Sequence, residues 1–245
     1  MTVVSIWQEV EFGSYEADLP LWEELASACD GPVLELGAGA GRVALHLAAR
    51  GHQLIAVEQN PELTDDLQLK SRRLGLPLSV VAADLTGNGD LPVPSRPGLA
   101  IGALHVIQVF DQVERRRLMT RLAALLAPGA TLAMTVVDES TLLSAGAAST
   151  QILPDMREVD GWVFSSEPLW VQVGDEALTI RRLRELVSPG GQMKRMVHDE
   201  RLNRVSPDAL EREAEAAGFA PAGRRQISSG PDEADSIAVL LEAPA

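Results

Sequence analysis

Cysteine is nearly absent from this sequence of 245 residues, which contains one cysteine, Cys29, together with one tyrosine and four histidines. A single cysteine excludes an internal disulfide, and it also excludes a zinc site built from several thiolates. We therefore expect a reducing, cytoplasmic setting.

Positive charge is also scarce. The chain has 21 basic and 35 acidic side chains, which gives a formal net charge of −14. Nucleic-acid affinity depends on the neutralisation of phosphates by lysine and arginine. The arginine runs at 115–117 and 181–184 have many acidic neighbours, and this pattern is typical of a solvated surface. We expect neither a nucleic acid nor an anionic membrane as a partner.

No apolar run approaches the roughly 20 residues that a membrane-spanning helix needs. The first residues, MTVVSIWQEVEFGSYEADLP, carry acids early and lack a basic segment followed by an apolar one. The sequence therefore predicts no membrane span and no secretory signal.

The chain does have enough apolar residues, 46% of the total, to bury the core of one α/β domain. Short apolar runs alternate with amphipathic ones in the first half, which predicts parallel strands joined by crossover helices. The predicted strands are PVLELG (32–37), QLIAVE (53–58), LSVVAAD (78–84), LAIGALHV (99–106) and ATLAMTVVD (130–138).

The pattern changes after about residue 140. Three β-rich segments, GWVFSSEPLWVQV, ALTIRRLRELV and QMKRMVHDERLNRV, follow one another with only turns between them, which predicts a small antiparallel sheet. A helix and two further strands complete the chain. We divide this single domain into an N-terminal helical cap (1–30), a core (31–139), an antiparallel β insertion (140–205) that acts as a lid over the substrate, and a closing helix and strand pair (206–245).

A glycine-rich turn, Gly37-Ala38-Gly39-Ala40-Gly41-Arg42, joins the first strand to the next helix. Glycines there let a ligand touch main-chain atoms at the helix N-terminus. The dinucleotide spacing G-x-G-x-x-G would need glycine at Arg42. Glu58 and Asp84 end the next two strands, where one carboxylate can accept ribose hydroxyls and the other can meet an adenine edge. A single nucleoside fits these features better than a dinucleotide.

The runs VLELGAGAGR, AVE, AAD and LAPGATLAMTVVD together resemble the successive motifs of class I S-adenosylmethionine-dependent methyltransferases. The resemblance implies a Rossmann-like α/β fold. Its seven-stranded, mostly parallel sheet has an antiparallel last strand and helices on both faces, and here it carries the β insertion after the fifth strand. It also implies S-adenosylmethionine as cofactor and S-adenosylhomocysteine as product.

The same resemblance assigns cofactor contacts. Glu35 and the glycine turn would lie along the methionine part, Glu58 would hold the ribose, and Asp84 with Leu85 would frame the adenine. The full predicted set is Glu35, Gly37, Ala38, Gly39, Gly41, Arg42, Glu58, Gln59, Asp84, Leu85, Leu104 and His105.

The end of the fourth strand is where the resemblance places the acceptor. It reads Ala-Leu-His-Val rather than the Asp/Asn-Pro-Pro-Tyr/Phe motif of enzymes that methylate bases or amides. Cys29 lies outside this region, so covalent attack on pyrimidines lacks its nucleophile. A small-molecule acceptor is favoured. His105 is a candidate general base, or else a neutral histidine packed in the core or on the adenosine. Gln108 could orient the acceptor or cap the following helix.

Further candidates come from the cap and the insertion. Tyr15 is a candidate catalytic residue and, with Trp22, resembles a cap over the cofactor, although both could be packing residues. Arg157 could hold an acceptor carboxylate or form a surface salt bridge. The predicted substrate pocket comprises Trp22, Asp138, Arg157, Trp162 and His198. Asp138 has no obvious partner for a metal site, so we predict no metal.

The leading hypothesis is a methyltransferase that acts on an oxygen or nitrogen of a small molecule, as a monomer or homodimer. An alternative is a protein of the same fold that binds S-adenosylmethionine without transferring the methyl group, in a scaffold or cyclase-like role. A weaker alternative is an NAD-dependent dehydrogenase, which the position of Arg42 opposes.

Overall fold

Two β-sheets organise the chain in the computed structural model, which describes residues 1–140, 153–229 and 234–245. The strands are β1 (Val33–Leu36), β2 (Leu54–Glu58), β3 (Leu78–Ala82), β4 (Leu99–Gly102), β5 (Thr131–Val137), β6 (Asp155–Val159), β7 (Trp162–Val173), β8 (Ala177–Val187), β9 (Met193–Asn203), β10 (Ala220–Ile227) and β11 (Ser236–Glu242). The helices are α1 (Val3–Phe12), α2 (Leu19–Ala28), α3 (Arg42–Ala48), α4 (Pro61–Leu74), α5 (Val106–Val109), α6 (Gln112–Leu125) and α7 (Pro207–Glu215).

The larger sheet has the strand order β10-β11-β5-β4-β1-β2-β3. The strands β1 to β5 pair in parallel, whereas β11 runs antiparallel to both β5 and β10. The last strand is therefore the antiparallel one, and the predicted sheet is confirmed.

Helices cover both faces of this sheet. On one face Trp22 of α2 and Leu47 of α3 pack against Leu99 and Ile101. On the other face α6 and α7 contribute to a larger cluster around the apolar residues of β5. Strand β1 is buried along its whole length, which explains why its sequence is continuously apolar apart from Glu35.

The predicted β insertion is confirmed as a four-stranded antiparallel sheet with the order β6-β7-β8-β9, which we call the second sheet. Residues 141–152 of the predicted insertion lie outside the described residues. The division of the chain into cap (1–30), core (31–139), insertion (140–205) and closing segment (206–245) stays a prediction.

Helix α1 packs against the second sheet and against α4. The rings of Trp7 and Phe164 meet edge to face, with centroids 5.1 Å apart. The Glu11 carboxylate accepts two hydrogen bonds from Arg184, at 2.7 and 2.6 Å, and one from Ser166. Through α1 the second sheet is thus attached to the N-terminal part of the chain.

The fourth strand is shorter than predicted. It ends at Gly102, and the next three residues turn sharply, with positive φ angles at Leu104 (46°) and His105 (60°). The backbone N–H of His105 donates to Thr135 Oγ1 at 3.1 Å, and Val106 then begins α5. The extended run predicted through residue 106 is wrong because the apolar side chains of Val106 and Ile107 belong to a helical turn. No helix in the described part of the chain is both long and apolar enough to cross a membrane.

Candidate functional site

A cavity of about 640 Å³ opens at the carboxyl ends of β1 and β4. This is the edge at which open α/β sheets generally bind ligands. The lining comes from the glycine turn after β1, the turn after β4, the N-terminal segment and the second sheet, together with residues of α3 and α4. The lining includes Gln8, Glu9, Phe12, Tyr15, Glu35, Gly37, Ala38, Gly39, Gly41, Arg42, Lys70, Leu104, Val106, Val109, Arg157 and Glu200.

The glycine turn needs its glycines for two reasons. Gly37, Gly39 and Gly41 have φ angles of 67°, 56° and 91°, a region that side chains rarely adopt. A Cβ atom on Gly37 would also lie 2.6 Å from Cγ2 of Val106, across the gap between the turn and α5. The turn therefore presents bare backbone to the cavity, as the sequence predicted.

Glu58 holds this turn through hydrogen bonds on the side away from the cavity. Its buried carboxylate accepts hydrogen bonds from the backbone N–H groups of Gly39, at 2.9 Å, and Asn60, at 2.8 Å. Glu58 is not among the residues that line the cavity. Its predicted contact with a ribose stays a prediction, and its observed contacts position the glycine turn.

Glu35 is the buried acid inside the site. Its side chain lines the cavity, and Oε2 has no hydrogen-bond partner in the described part of the chain. Burial raises the pKa of Glu35 to about 8, although the positive charge of Arg42 opposes this rise. The carboxyl group has a backbone hydrogen bond with Ala44, and its remaining oxygen, Oε2, is suited to a ligand that brings a cationic hydrogen-bond donor, such as an ammonium group.

Arg42 closes the N-terminal segment over the glycine turn. Its guanidinium forms a two-fold pair with Asp18, at 2.6 and 2.7 Å, and donates to the carbonyl of Tyr15 at 2.8 Å. It also lies 5.2 Å from the centre of the Tyr15 ring. The Tyr15 hydroxyl, 3.3 Å from Ser229 Oγ, links this segment to the region before β11. Tyr15 thus lies at the predicted cap.

His105 and Gln108 have structural partners. The Nε2 atom of His105 is 2.8 Å from Ser236 Oγ, and burial lowers the pKa of this histidine to about 4. Its side chain is not part of the cavity lining. Gln108 is fully buried, accepts from the N–H of Val137 at 2.8 Å and donates to the carbonyl of Asn203 at 3.2 Å. Sequence reasoning gave Gln108 two possible roles, orienting the acceptor or capping the following helix. In the structure its side chain instead connects β5 to β9. The role of His105 as a base stays a prediction, and this geometry favours the neutral packed alternative.

The predicted adenine contacts lie outside the cavity lining. Asp84 is exposed and accepts hydrogen bonds from the N–H and hydroxyl of Thr86, which hold the pKa of its carboxyl below the usual range. Leu85 packs in the core and Gln59 is exposed. Asp84 lies in a turn because β3 ends at Ala82, two residues earlier than predicted.

The predicted substrate residues divide into two groups. Arg157 lines the cavity, and its guanidinium pairs with Glu9 at 2.7 Å. Trp22 is fully buried in the core beside α3, which corrects its assignment to the pocket. Asp138 is bonded to Ser140 and Gln226, Trp162 is exposed, and His198 is half-buried in β9; none of these three belongs to the lining.

Several cavity residues were missed by sequence reasoning. Gln8, Glu9 and Phe12 lie on α1, and Lys70 lies on α4. Glu200 comes from β9, two residues after His198 and therefore on the same side of the strand. The alternation of His198, Glu200 and Leu202 was the available signal, but the strand register that decides which side faces the cavity cannot be read from the sequence.

A family model described as a methyltransferase domain matches residues 33–129. An uncharacterised methyltransferase of Mycobacterium tuberculosis (strain ATCC 25618 / H37Rv) is 30% identical over 128 residues, which is 50% of this chain and 48% of the relative. The chain therefore spans about half the length of the curated relatives it matches.

Solved structures similar along nearly the whole chain include two methyltransferases. The sugar N-methyltransferase KedS8 from Streptoalloteichus sp. ATCC 53650 has a TM-score of 0.77 at 14% identity, over 100% of this chain and 94% of that one. CalS10, an amino pentose methyltransferase from Micromonospora echinaspora solved with S-adenosylmethionine bound, has a TM-score of 0.69 at 14% identity, over 98% and 97% of the two chains. At this identity the likeness shows the fold. Together with the family model, it confirms the resemblance predicted from the sequence.

Proposed function

We propose that this chain, which has the class I methyltransferase fold and a methyltransferase domain over residues 33–129, transfers a methyl group from S-adenosylmethionine to an oxygen or nitrogen of a small molecule. The observation that carries the proposal is the cavity at the carboxyl ends of β1 and β4. One wall is bare glycine backbone, and Glu35, whose Oε2 has no hydrogen-bond partner in the described part of the chain, lines the same space.

The residues present fit this cofactor. Glu35 would bind the ammonium group of the methionine part, and the glycine turn would let that part approach the backbone. Arg42 would hold the segment around Tyr15 over the bound molecule, as it does here through Asp18. When bound, S-adenosylmethionine supplies an electrophilic methyl group on a sulfonium.

The chain's task in such a reaction is chiefly alignment. An in-line displacement requires the acceptor atom to be held close to the methyl carbon and on the axis of the breaking bond. Leu104, Val106 and Val109 form an apolar part of the cavity wall, and Arg157 and Glu200 of the second sheet form a charged part. We assign the acceptor to the space between these groups and the glycine turn.

The setting of the reaction follows from composition. With a net charge of −14, the chain suits a small acceptor rather than a nucleic acid. A cytoplasmic location, with the protein acting as a monomer or homodimer, completes the proposal.

Binding and turnover are tested separately. Calorimetry should detect S-adenosylhomocysteine binding to the wild-type protein and no binding of NAD. A panel of small amines and alcohols incubated with S-adenosylmethionine should yield S-adenosylhomocysteine with at least one acceptor. Binding of NAD alone would overturn the fold-based assignment, whereas cofactor binding without turnover across the panel would favour a binding role.

A further inference from the structure

Among the described residues, Glu200 is a charged residue of the cavity without a hydrogen-bond or ion-pair partner. It lies on β9 opposite Ile180 of β8, on the side of the second sheet that faces the cavity. Its side chain makes no hydrogen bond or ion pair in the described part of the chain. The carboxylate is half-buried. Arg182 and Arg184 are close enough to act on it electrostatically, but neither forms an ion pair with it, so its charge is only partly balanced.

The arginines of the same face are already engaged. Arg184 pairs with Glu11 at 2.6 Å, Arg182 with Asp155 at 3.1 Å, and Arg157 with Glu9 at 2.7 Å. Each guanidinium thus has a carboxylate of its own, and Glu200 is left over. The nearby ring of His198 adds no compensating charge at neutral pH, because burial lowers the pKa of that histidine.

Electrostatics agrees with this geometry. Burial raises the pKa of Glu200 above its ordinary value, although Arg182 opposes the rise. A carboxylate in this state gains from a cationic ligand and can also accept a proton from it. Glu35, another acid of the cavity, lies at the glycine turn, where the proposed function already uses it.

We propose that Glu200 binds the amino group of the acceptor and takes its proton, so that the substrate is a small molecule with a primary or secondary amine. This inference rests on the proposed function and specifies its acceptor. The apolar side chains of Leu104, Val106 and Val109 would contact the body of the amine.

The proton and electron balance is complete. The acceptor enters as an ammonium ion and passes one proton to the Glu200 carboxylate, which frees the nitrogen lone pair. That lone pair forms the new carbon–nitrogen bond while the carbon–sulfur bond breaks, and the bonding pair stays on sulfur. The methylated product is again an ammonium ion, and Glu200 releases its proton to water.

Matched amines and alcohols test the proposal by binding. Protein saturated with S-adenosylhomocysteine is titrated calorimetrically with glucosamine and glucose, cyclohexylamine and cyclohexanol, and benzylamine and benzyl alcohol. In at least one pair the amine should bind about tenfold more tightly than the alcohol, the factor expected for a charge-assisted contact. Turnover of that amine should yield the N-methylated product by mass spectrometry.

Substitutions then test whether Glu200 causes the preference for the amine over the alcohol. Glu200→Gln should remove it, Glu200→Asp should keep part of it, and Glu185→Gln should leave it intact. Glu185 is the control because it is a carboxylate of the same sheet that pairs with Arg195 and does not line the cavity. Unchanged affinity of both Gln variants for S-adenosylhomocysteine shows that the cofactor side is folded.

The contrary outcomes are distinct. If no pair shows an amine preference, whether both members bind or neither does, the proposal is wrong. It is also wrong if Glu200→Gln keeps the preference, or if Glu200→Asp and Glu185→Gln lose it equally. Failure of the wild-type protein to bind S-adenosylhomocysteine would instead contradict the proposed function.

Discussion

The pKa values of buried acidic and basic side chains at the candidate site are set by their surroundings. Glu35 would be ionised at neutral pH in water, but burial raises its pKa to about 8. The attraction of Arg42 is too weak to reverse this shift, because its guanidinium is already paired with Asp18. In the free protein Glu35 therefore carries a proton at pH 7.

Cofactor binding should expel that proton. An ammonium group placed beside Glu35 favours the ionised carboxylate, so its pKa falls on binding. At pH 7 we expect S-adenosylhomocysteine binding to release up to about one proton, measured by calorimetry in phosphate and Tris buffers, which differ in ionisation enthalpy. Glu35→Gln should abolish the release. The exposed Glu62→Gln serves as control, and equal heats in both buffers for the wild type would contradict the assignment.

His105 should make stability depend on pH in the acidic range. Its pKa in the folded protein is about 4, below the value near 6.5 of an unfolded chain. The unfolded state therefore binds more protons between these values, so stability is full above about pH 6.5 and falls as the pH drops toward 4. Replacement by asparagine should flatten this part of the denaturation profile. Nuclear magnetic resonance should show a neutral His105 ring at pH 6, and a charged ring there would refute this prediction.

The N-terminal segment is the element that covers the glycine turn. Asp18 is 1% exposed and Arg42 is 12% exposed, so their pair is nearly shielded from water. A buried pair is costly to break on one side only, because the remaining charge loses its partner. This shielded ion pair is therefore a principal contact that positions the segment, beside the hydrogen bond from Arg42 to the Tyr15 carbonyl.

Asp18→Asn should both destabilise the protein and loosen this cover. We expect a loss of roughly 3 kcal/mol in the free energy of unfolding, the usual result of removing one buried partner, and weaker binding of S-adenosylhomocysteine. Chemical denaturation and calorimetry measure the two effects. Glu23→Gln, on α2, which begins directly after Asp18, changes a residue that is 37% exposed and should cost at most about 1 kcal/mol. Equal effects of the two substitutions would show that the Asp18 pair has no special role.

Elements with a local signal were predictable from the sequence. The apolar runs located β1, β2 and β5. The fourth strand was predicted too long because hydrophobic alternation does not reveal a left-handed turn at Leu104 and His105. Asp84 lies outside the strand predicted for it for a similar reason: its carboxylate accepts hydrogen bonds from the N–H and hydroxyl of Thr86, and these form a turn.

The candidate site was predictable only on its cofactor side. The glycine turn and Glu35 are contiguous in sequence, so their proximity needs no knowledge of the tertiary structure. Glu200 and the residues of α1 reach the cavity through the packing of the second sheet, which depends on contacts between distant parts of the chain. Trp22 is the opposite case. Sequence reasoning assigned this aromatic residue to the pocket, but its side chain packs in the core.

At the scale of the whole molecule, α1 joins the cofactor side to the acceptor side. One part of this helix lines the cavity through Gln8, while Trp7 and Glu11 hold Phe164 and Arg184 of the second sheet. Burial raises the pKa of Glu11, yet hydrogen bonds from Arg184 and Ser166 outweigh it and hold the pKa below the usual range. Glu11 is therefore ionised and paired at neutral pH.

Glu11→Ala should weaken protection from hydrogen exchange in the second sheet and leave it unchanged in the larger sheet. It leaves Arg184 and the hydroxyl of Ser166 without their shared partner, at a cost of about 3 kcal/mol. Because the lost contacts belong to the second sheet, hydrogen exchange followed by mass spectrometry should accelerate in 177–187 and 193–203 while β1, β4 and β5 stay protected. Glu185→Ala, which breaks an exposed pair with Arg195, should change neither region. Uniform acceleration across both sheets would instead mean that they unfold as one cooperative unit, with α1 acting as part of a single core.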